Sequence, residues 1–210
     1  MLDDEATETN FKTLAPDYNI LHLAMHTIID NNSPMYSKMA FTASNQDSIN
    51  DGFLNVSELY NLQLKAQLVV LSSCSSGSGK LQSGEGIMSI ARGFMYAGCP
   101  SLVMTLWEVE DKSGSEIMEK FYRYLKRGYS KSKAMRKAKL DFLEDATILK
   151  SHPYFWSPYI SLGDNAPVYA GFWSGKVLPS SLMIFLLVFI FLKTKKIRKS
   201  PKWKNIQSLP

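Results

Sequence analysis

Metal-ligating and disulfide-forming residues are scarce in this sequence. Two cysteines, Cys74 and Cys99, and three histidines, His22, His26 and His152, are all that its 210 residues hold. A cysteine-rich metal cluster and a disulfide scaffold are therefore excluded. Glycine and proline, at 12 and 9 residues, are too few for a collagen-like or low-complexity chain, and no segment repeats. The N-terminus, MLDDEATETNF, lacks the basic, apolar and small-residue blocks of a signal peptide. An excess of basic residues is also missing outside the C-terminal tail, although the net charge is +5. Lys193, Lys195, Lys196, Arg198, Lys199, Lys202 and Lys204 give the tail at 193–210 a charge of +7 with no acid, which leaves residues 1–192 at −2. The pI near 9.1 belongs to that tail, so no nucleic-acid partner is expected.

One long apolar run is present, and it adjoins the basic tail. Residues 177–192 read VLPSSLMIFLLVFIFL, 16 residues without a charge, of which the last 11 are apolar throughout. A helix of that length reaches ~24 Å, against ~30 Å of hydrocarbon. Phe172 and Trp173 at one interface, with Lys176 and Lys193 reaching headgroups, make up the difference. The expectation is a transmembrane helix at 177–192 contacting membrane lipid, a linker at 166–176 and a tail at 193–210. The basic tail is expected in the cytoplasm, with residues 1–170 on the other side; a tail anchor with its domain in the cytosol is the alternative orientation. A buried C-terminal core helix is the competing reading, and the seven cations that follow argue against it.

Within residues 1–165, short apolar runs alternate with helical patterns, which predicts an α/β domain with a mostly parallel sheet flanked by helices. Strands are predicted at Ile20–Met25, Leu68–Ser73 and Ser101–Leu106, with Tyr159–Leu162 as a closing edge strand. Helices are predicted at Ser57–Leu62 (capped by Ser57), Gly86–Ala97 (ended by Gly98), Asp111–Arg127 and Ser130–Leu149. Residues 30–55 are polar and turn-rich, which suits a long surface connection or a hairpin.

His26 follows the first predicted strand and Cys74 the second. In open α/β sheets the functional crevice lies beyond the carboxyl ends of the strands. A thiol attacks as a thiolate, and a neighbouring imidazole promotes that state. A Cys–His dyad is one reading of the pair; a small buried hydrophobe at Cys74 is the other. Sharper-looking motifs fail. GSGK at 77–80 lacks the spacing of a phosphate loop, which wants Gly at Cys74 and Ser or Thr at Leu81. His22 and His26 on a strand stand about 13 Å apart, too far to share a metal. Core packing is the expectation for His22, a structural role for His152 and a buried structural thiol for Cys99. No cofactor and no metal are expected.

The wording around these residues is more specific. HLAMH at 22–26, VVLSSCSSGSG at 69–79, GEG at 84–86, ARGFMYAGCPSLVMTLWEVED at 91–111, FYRYL at 121–125 and HPYFW at 152–156 resemble, in order, the CHAT domain. That is the caspase-like, separase-related cysteine peptidase family often joined to tetratricopeptide repeats. The resemblance implies a caspase–haemoglobinase fold and an endopeptidase acting on a protein or peptide substrate, with Cys74 as nucleophile and His26 as its partner. It implies an oxyanion hole from the backbone N–H groups of Cys74 and Thr27. Here the chain departs from the family, which favours Gly after the histidine; threonine keeps the N–H but resists positive φ. Ser75 stands where an acidic residue is common, although separases carry a similar CSSG run. LWEVED at 106–111 resembles the separase stretch whose last Asp receives a basic P1 side chain, which implies substrate binding by Asp111. The bland reading of Asp111 is a helix-opening acid. The family's upstream strands and helix have no counterpart in residues 1–19, so the chain is expected to be the C-terminal portion of a longer protein with tetratricopeptide repeats or a regulatory partner. A non-catalytic CHAT-like scaffold at a membrane is the alternative function.

Overall fold

A computed structural model describes residues 3–30, 32–43, 50–72 and 85–169. Four strands form the main sheet in the order β1-β5-β6-β7: β1 (Ile20–Leu23), β5 (Leu68–Leu71), β6 (Ser101–Thr105) and β7 (Tyr159–Gly163). β1, β5 and β6 are parallel, and β7 closes the edge antiparallel to β6. A mixed α/β domain with a parallel-containing sheet is thus present. The β5 run LVVL is buried at all four positions, as a central strand covered on both faces must be.

Period-2 alternation divides the apolar residues between two cores. Leu21, Leu23, Val69, Leu71, Leu102 and Met104 pack on one side with Phe11 of α1 (Glu8–Leu14), Val56 and Leu59 of α2 (Val56–Leu59) and Ile90 and Phe94 of α3 (Glu85–Tyr96). Leu68, Val70 and Val103 face α4 (Asp111–Lys126) and α5 (Lys131–Asp145). Ile117, Met118, Phe121 and Leu125 form the buried stripe of α4, at the helical spacing read from the sequence. Gly98 ends α3 with φ +109, where a Cβ would stand 2.7 Å from the Leu64 carbonyl oxygen; only glycine fits.

Several expectations are corrected. β1 stops at Leu23 rather than Met25, because the chain turns at 24–26 into a second, antiparallel sheet of β2 (Thr27–Ile28), β3 (Lys38–Ala40) and β4 (Phe53–Asn55). Asn55, not Ser57, precedes α2: its N–H donates to Glu58 Oε2 at 2.9 Å, and Ser57 lies inside the helix. Residues 1–19, read as having no helix to offer, hold α1, whose Thr7 Oγ1 accepts from the Asn10 N–H at 3.2 Å. α6 (Pro153–Trp156) is capped by His152, whose Nδ1 accepts from the Tyr154 N–H at 3.2 Å, as a structural role for that histidine requires. Among the described residues no helix is long and apolar enough to cross a membrane. The span expected at 177–192 and the basic tail lie outside the described residues.

Candidate functional site

The carboxyl ends of β1, β5 and β6 open on a crevice of about 420 Å³. Its floor is the polar end of the sheet: His22 from β1, Ser72 just past β5 and Thr105 from β6. Asp111 and Tyr122 of α4 and Tyr159 of β7 stand over that floor. Alternation dictates which residues of β1 and β5 reach it. His22 and Ser72 continue the face of Leu68 and Val70, whereas Leu21, Leu23 and Leu71 face α1 and α3.

His22 was expected in the core and is instead on the crevice floor. Its Nε2 lies 2.7 Å from Ser72 Oγ, and its ring stacks obliquely on Tyr122 at 5.6 Å between centroids. The ring is reached by solvent through the mouth, yet protein crowds it from β5 and α4. This desolvation lowers the His22 pKa and favours the neutral imidazole. Tyr122 Oη is buried without a hydrogen-bond partner among the described residues, and burial pushes its pKa well up. Sequence pattern held the signal for this floor in the parity of His22 with Val70 and Ser72, but periodicity alone does not say which face carries a cavity.

His26 is exposed at the turn between β1 and β2, and its carbonyl accepts from the Ala40 N–H at 2.9 Å. It does not line the crevice. Thr27 is buried in extended β2 opposite Met39, where a β-branched residue is at ease, so the strand asks no positive φ of it. Asp111 occupies the first turn of α4 and also lines the crevice, so its helix-opening and cavity-lining positions coincide. The acid at the preceding position, Glu110, is engaged elsewhere, accepting from Ser113 Oγ at 2.5 Å and pairing with Lys150 at 3.2 Å. Cys74 lies outside the described residues. Cys99 is a fully buried free thiol whose pKa burial pushes up to about 11, an inert structural cysteine.

The structure thus brings His22, Ser72 and Asp111 to one crevice, with His26 at the adjoining turn. Comparison with known proteins supplies the family. Tetratricopeptide repeat protein 28 of Mus musculus and that of Homo sapiens are each 27% identical over 129 residues. The match covers 59% of this chain but 5% of each relative, so the chain spans a small part of their length. The CHAT domain family description matches residues 1–164, from before α1 to the end of β7, and this chain belongs to the CHAT domain family.

Proposed function

We propose that this domain is a cysteine endopeptidase of caspase–haemoglobinase type, anchored in a membrane through residues 177–192, with Cys74 as nucleophile and His26 as proton carrier. The register of the sheet carries this reading. β1 and β5 are neighbours whose partners run from Ile20↔Leu68 to Leu23↔Leu71, a constant offset of 48, and His26 and Cys74 differ by the same 48. Each therefore comes three positions in sequence after the last paired residue of its strand, and those two strands are adjacent and parallel.

In the first step the Cys74 thiolate forms a bond to the scissile carbonyl carbon, and the carbonyl electrons move to oxygen. Backbone N–H groups of Cys74 and Thr27 would receive that oxyanion. Collapse breaks the C–N bond, and His26 gives a proton to the departing amine. Water then attacks the thioester with His26 taking its proton, and collapse breaks the C–S bond, which releases the carboxylic acid and restores the Cys74 thiolate beside protonated His26. Asp111 in the crevice would favour a basic side chain through charge-assisted hydrogen bonds. The relatives' name supports a context of tetratricopeptide repeats.

A non-catalytic scaffold at a membrane is the second reading, favoured by the position of His26 outside the crevice. Labelling separates the two. In native membranes a peptidyl acyloxymethyl ketone with arginine at P1 is expected to modify Cys74 and not Cys99, with His26→Ala suppressing it and Asp111→Asn narrowing the preference for arginine over leucine probes. A scaffold leaves Cys74 no more reactive than Cys99.

A further inference from the structure

β1 ends the main sheet, and among the described residues no strand pairs with its outer side. Along a strand, the N–H and C=O of successive residues point alternately to its two sides. The Asn19 carbonyl accepts from the Gln67 N–H at 2.8 Å and the Leu23 carbonyl from the Ser72 N–H at 3.1 Å. The odd-numbered residues thus turn their backbone groups to β5, and Ile20, His22 and Ala24 turn theirs outward. His22 and Ala24 are exposed. The run ILHLAM at 20–25 also lacks the lysine, acid or proline that ordinarily keeps an edge from pairing.

Cavities of opposite character flank this edge, and His22 and Ala24 line both. Toward α4 lies the crevice, whose charged lining side chains among the described residues are two acids, Asp111 and Glu119. Glu119 also pairs with Arg123 at 2.7 Å. Toward α1 lies a groove of about 490 Å³, walled by Phe11, Leu14, Tyr18, Met25 and Phe41, with no charged lining group among the described residues. A backbone added at strand spacing, about 4.8 Å from β1, runs between the two cavities and sends alternate side chains into each. Its N–H and C=O groups satisfy those of Ile20, His22 and Ala24, which an apolar side chain or a lipid tail cannot do.

We propose that the outer edge of β1 docks an extended segment of a partner protein as an added strand, with apolar side chains toward the α1 groove and basic side chains toward the crevice acids. Main-chain hydrogen bonds supply the affinity, and the two unlike cavities select the alternation of side chains. The site draws on Asp111 and Glu119 but on no part of the attacking thiol, so it stands or falls apart from the peptidase reading.

The probe is a capped heptapeptide alternating valine with lysine, added to the full chain in phospholipid nanodiscs, with amide exchange followed residue by residue. Saturating probe is expected to slow exchange at His22 and Ala24 about tenfold or more, while the Leu21 and Leu23 amides, which face β5, stay as they were. Two N-methylated probes test the backbone. Methylation of either the valine or the lysine amides, whichever face β1, is expected to weaken binding about tenfold or more, and methylation of the other set to leave it unchanged. A valine–glutamate heptapeptide is expected to bind more weakly than the lysine probe. Unchanged exchange at His22 and Ala24 under saturating probe overturns the proposal, as does equal binding of both methylated probes. Equal binding of the glutamate probe overturns the basic chemistry assigned to the partner. If His22 and Ala24 exchange as slowly as Leu21 and Leu23 before any probe is added, the edge is already covered, by this chain or by a second copy. That result also overturns docking of a separate partner.

Discussion

A histidine reports on its surroundings through its proton, and His22 gives the crevice a pH signature. Partial desolvation by β5 and α4 lowers its pKa below the ordinary 6.5, so the folded chain prefers the neutral ring while the unfolded chain does not. Above the ordinary pKa both states are neutral there and the contribution to stability is fully present. As pH falls through 6.5 toward the lowered value, the unfolded state takes up the proton first, and stability is lost. Melting of the full chain at about pH 7.5 and about pH 5.5 is expected to show a larger drop for wild type than for His22→Gln. Equal drops in the two proteins would mean that the ring is charged as readily in the fold as in water. The residue scale is also where sequence reading was weakest. His22 lies in the apolar run ILHLAM, which predicts a buried strand, and shares no metal with His26, so core packing was the expectation; the parity of His22 acquires meaning only when α4 closes over that face of the sheet.

At the scale of elements, strands with continuous apolar runs were legible. LVVL and SLVMT announce buried strands, and the stripe of α4 announces a helix against them, because burial on two faces and burial on one leave different periods. The carboxyl ends of those strands, and so the place of the crevice, followed directly. α1 and β2 were not legible; for residues 30–55 a hairpin was one of two readings, and β3 and β4 within them do pair antiparallel, though their bounds showed no signal. ETNFKTL has too few apolar residues to show a helical period, and strands of two or three residues show none at all. Long-range polar contacts hold these pieces instead. Glu8, 2% exposed, pairs with Lys12, and its Oε2 accepts from the Gly52 N–H at 3.0 Å; Lys12 in turn reaches Glu58 at 2.8 Å and Asn50 Oδ1 at 2.7 Å. One network thus joins α1, the connection into β4 and α2. Removing the Glu8 carboxylate strands the Gly52 N–H but leaves Lys12 its partner Glu58. Glu8→Ala is therefore expected to cost about 2–3 kcal/mol, short of the loss of a wholly isolated buried pair. Urea unfolding of the two proteins checks this; a difference under about 0.5 kcal/mol would place Glu8 among surface ion pairs of little consequence.

At the scale of the whole molecule, charge and apolar surface are segregated along the chain. Residues 1–192 carry −2 and the last 18 residues +7, with the apolar run of 177–192 at the junction. Among the described residues the two cores draw on side chains between Phe11 and Val168. For the apolar run that adjoins the basic tail in sequence we propose lipid as the surroundings. The eleven residues Leu182–Leu192 favour insertion by about 3–7 kcal/mol, taking about 0.3–0.6 kcal/mol for each side chain. Two arginines near the centre cost about 5–7 kcal/mol together, enough to reverse the balance. Extraction of membranes with alkaline carbonate is expected to leave the wild-type chain in the pellet and to release the double variant Leu187→Arg, Val188→Arg. Release of the wild-type chain by carbonate would refute a span. If salt alone released it, the seven cations of the tail would be the attachment, since a purely electrostatic contact is screened within about 10 Å at 0.1 M salt and an inserted helix is not.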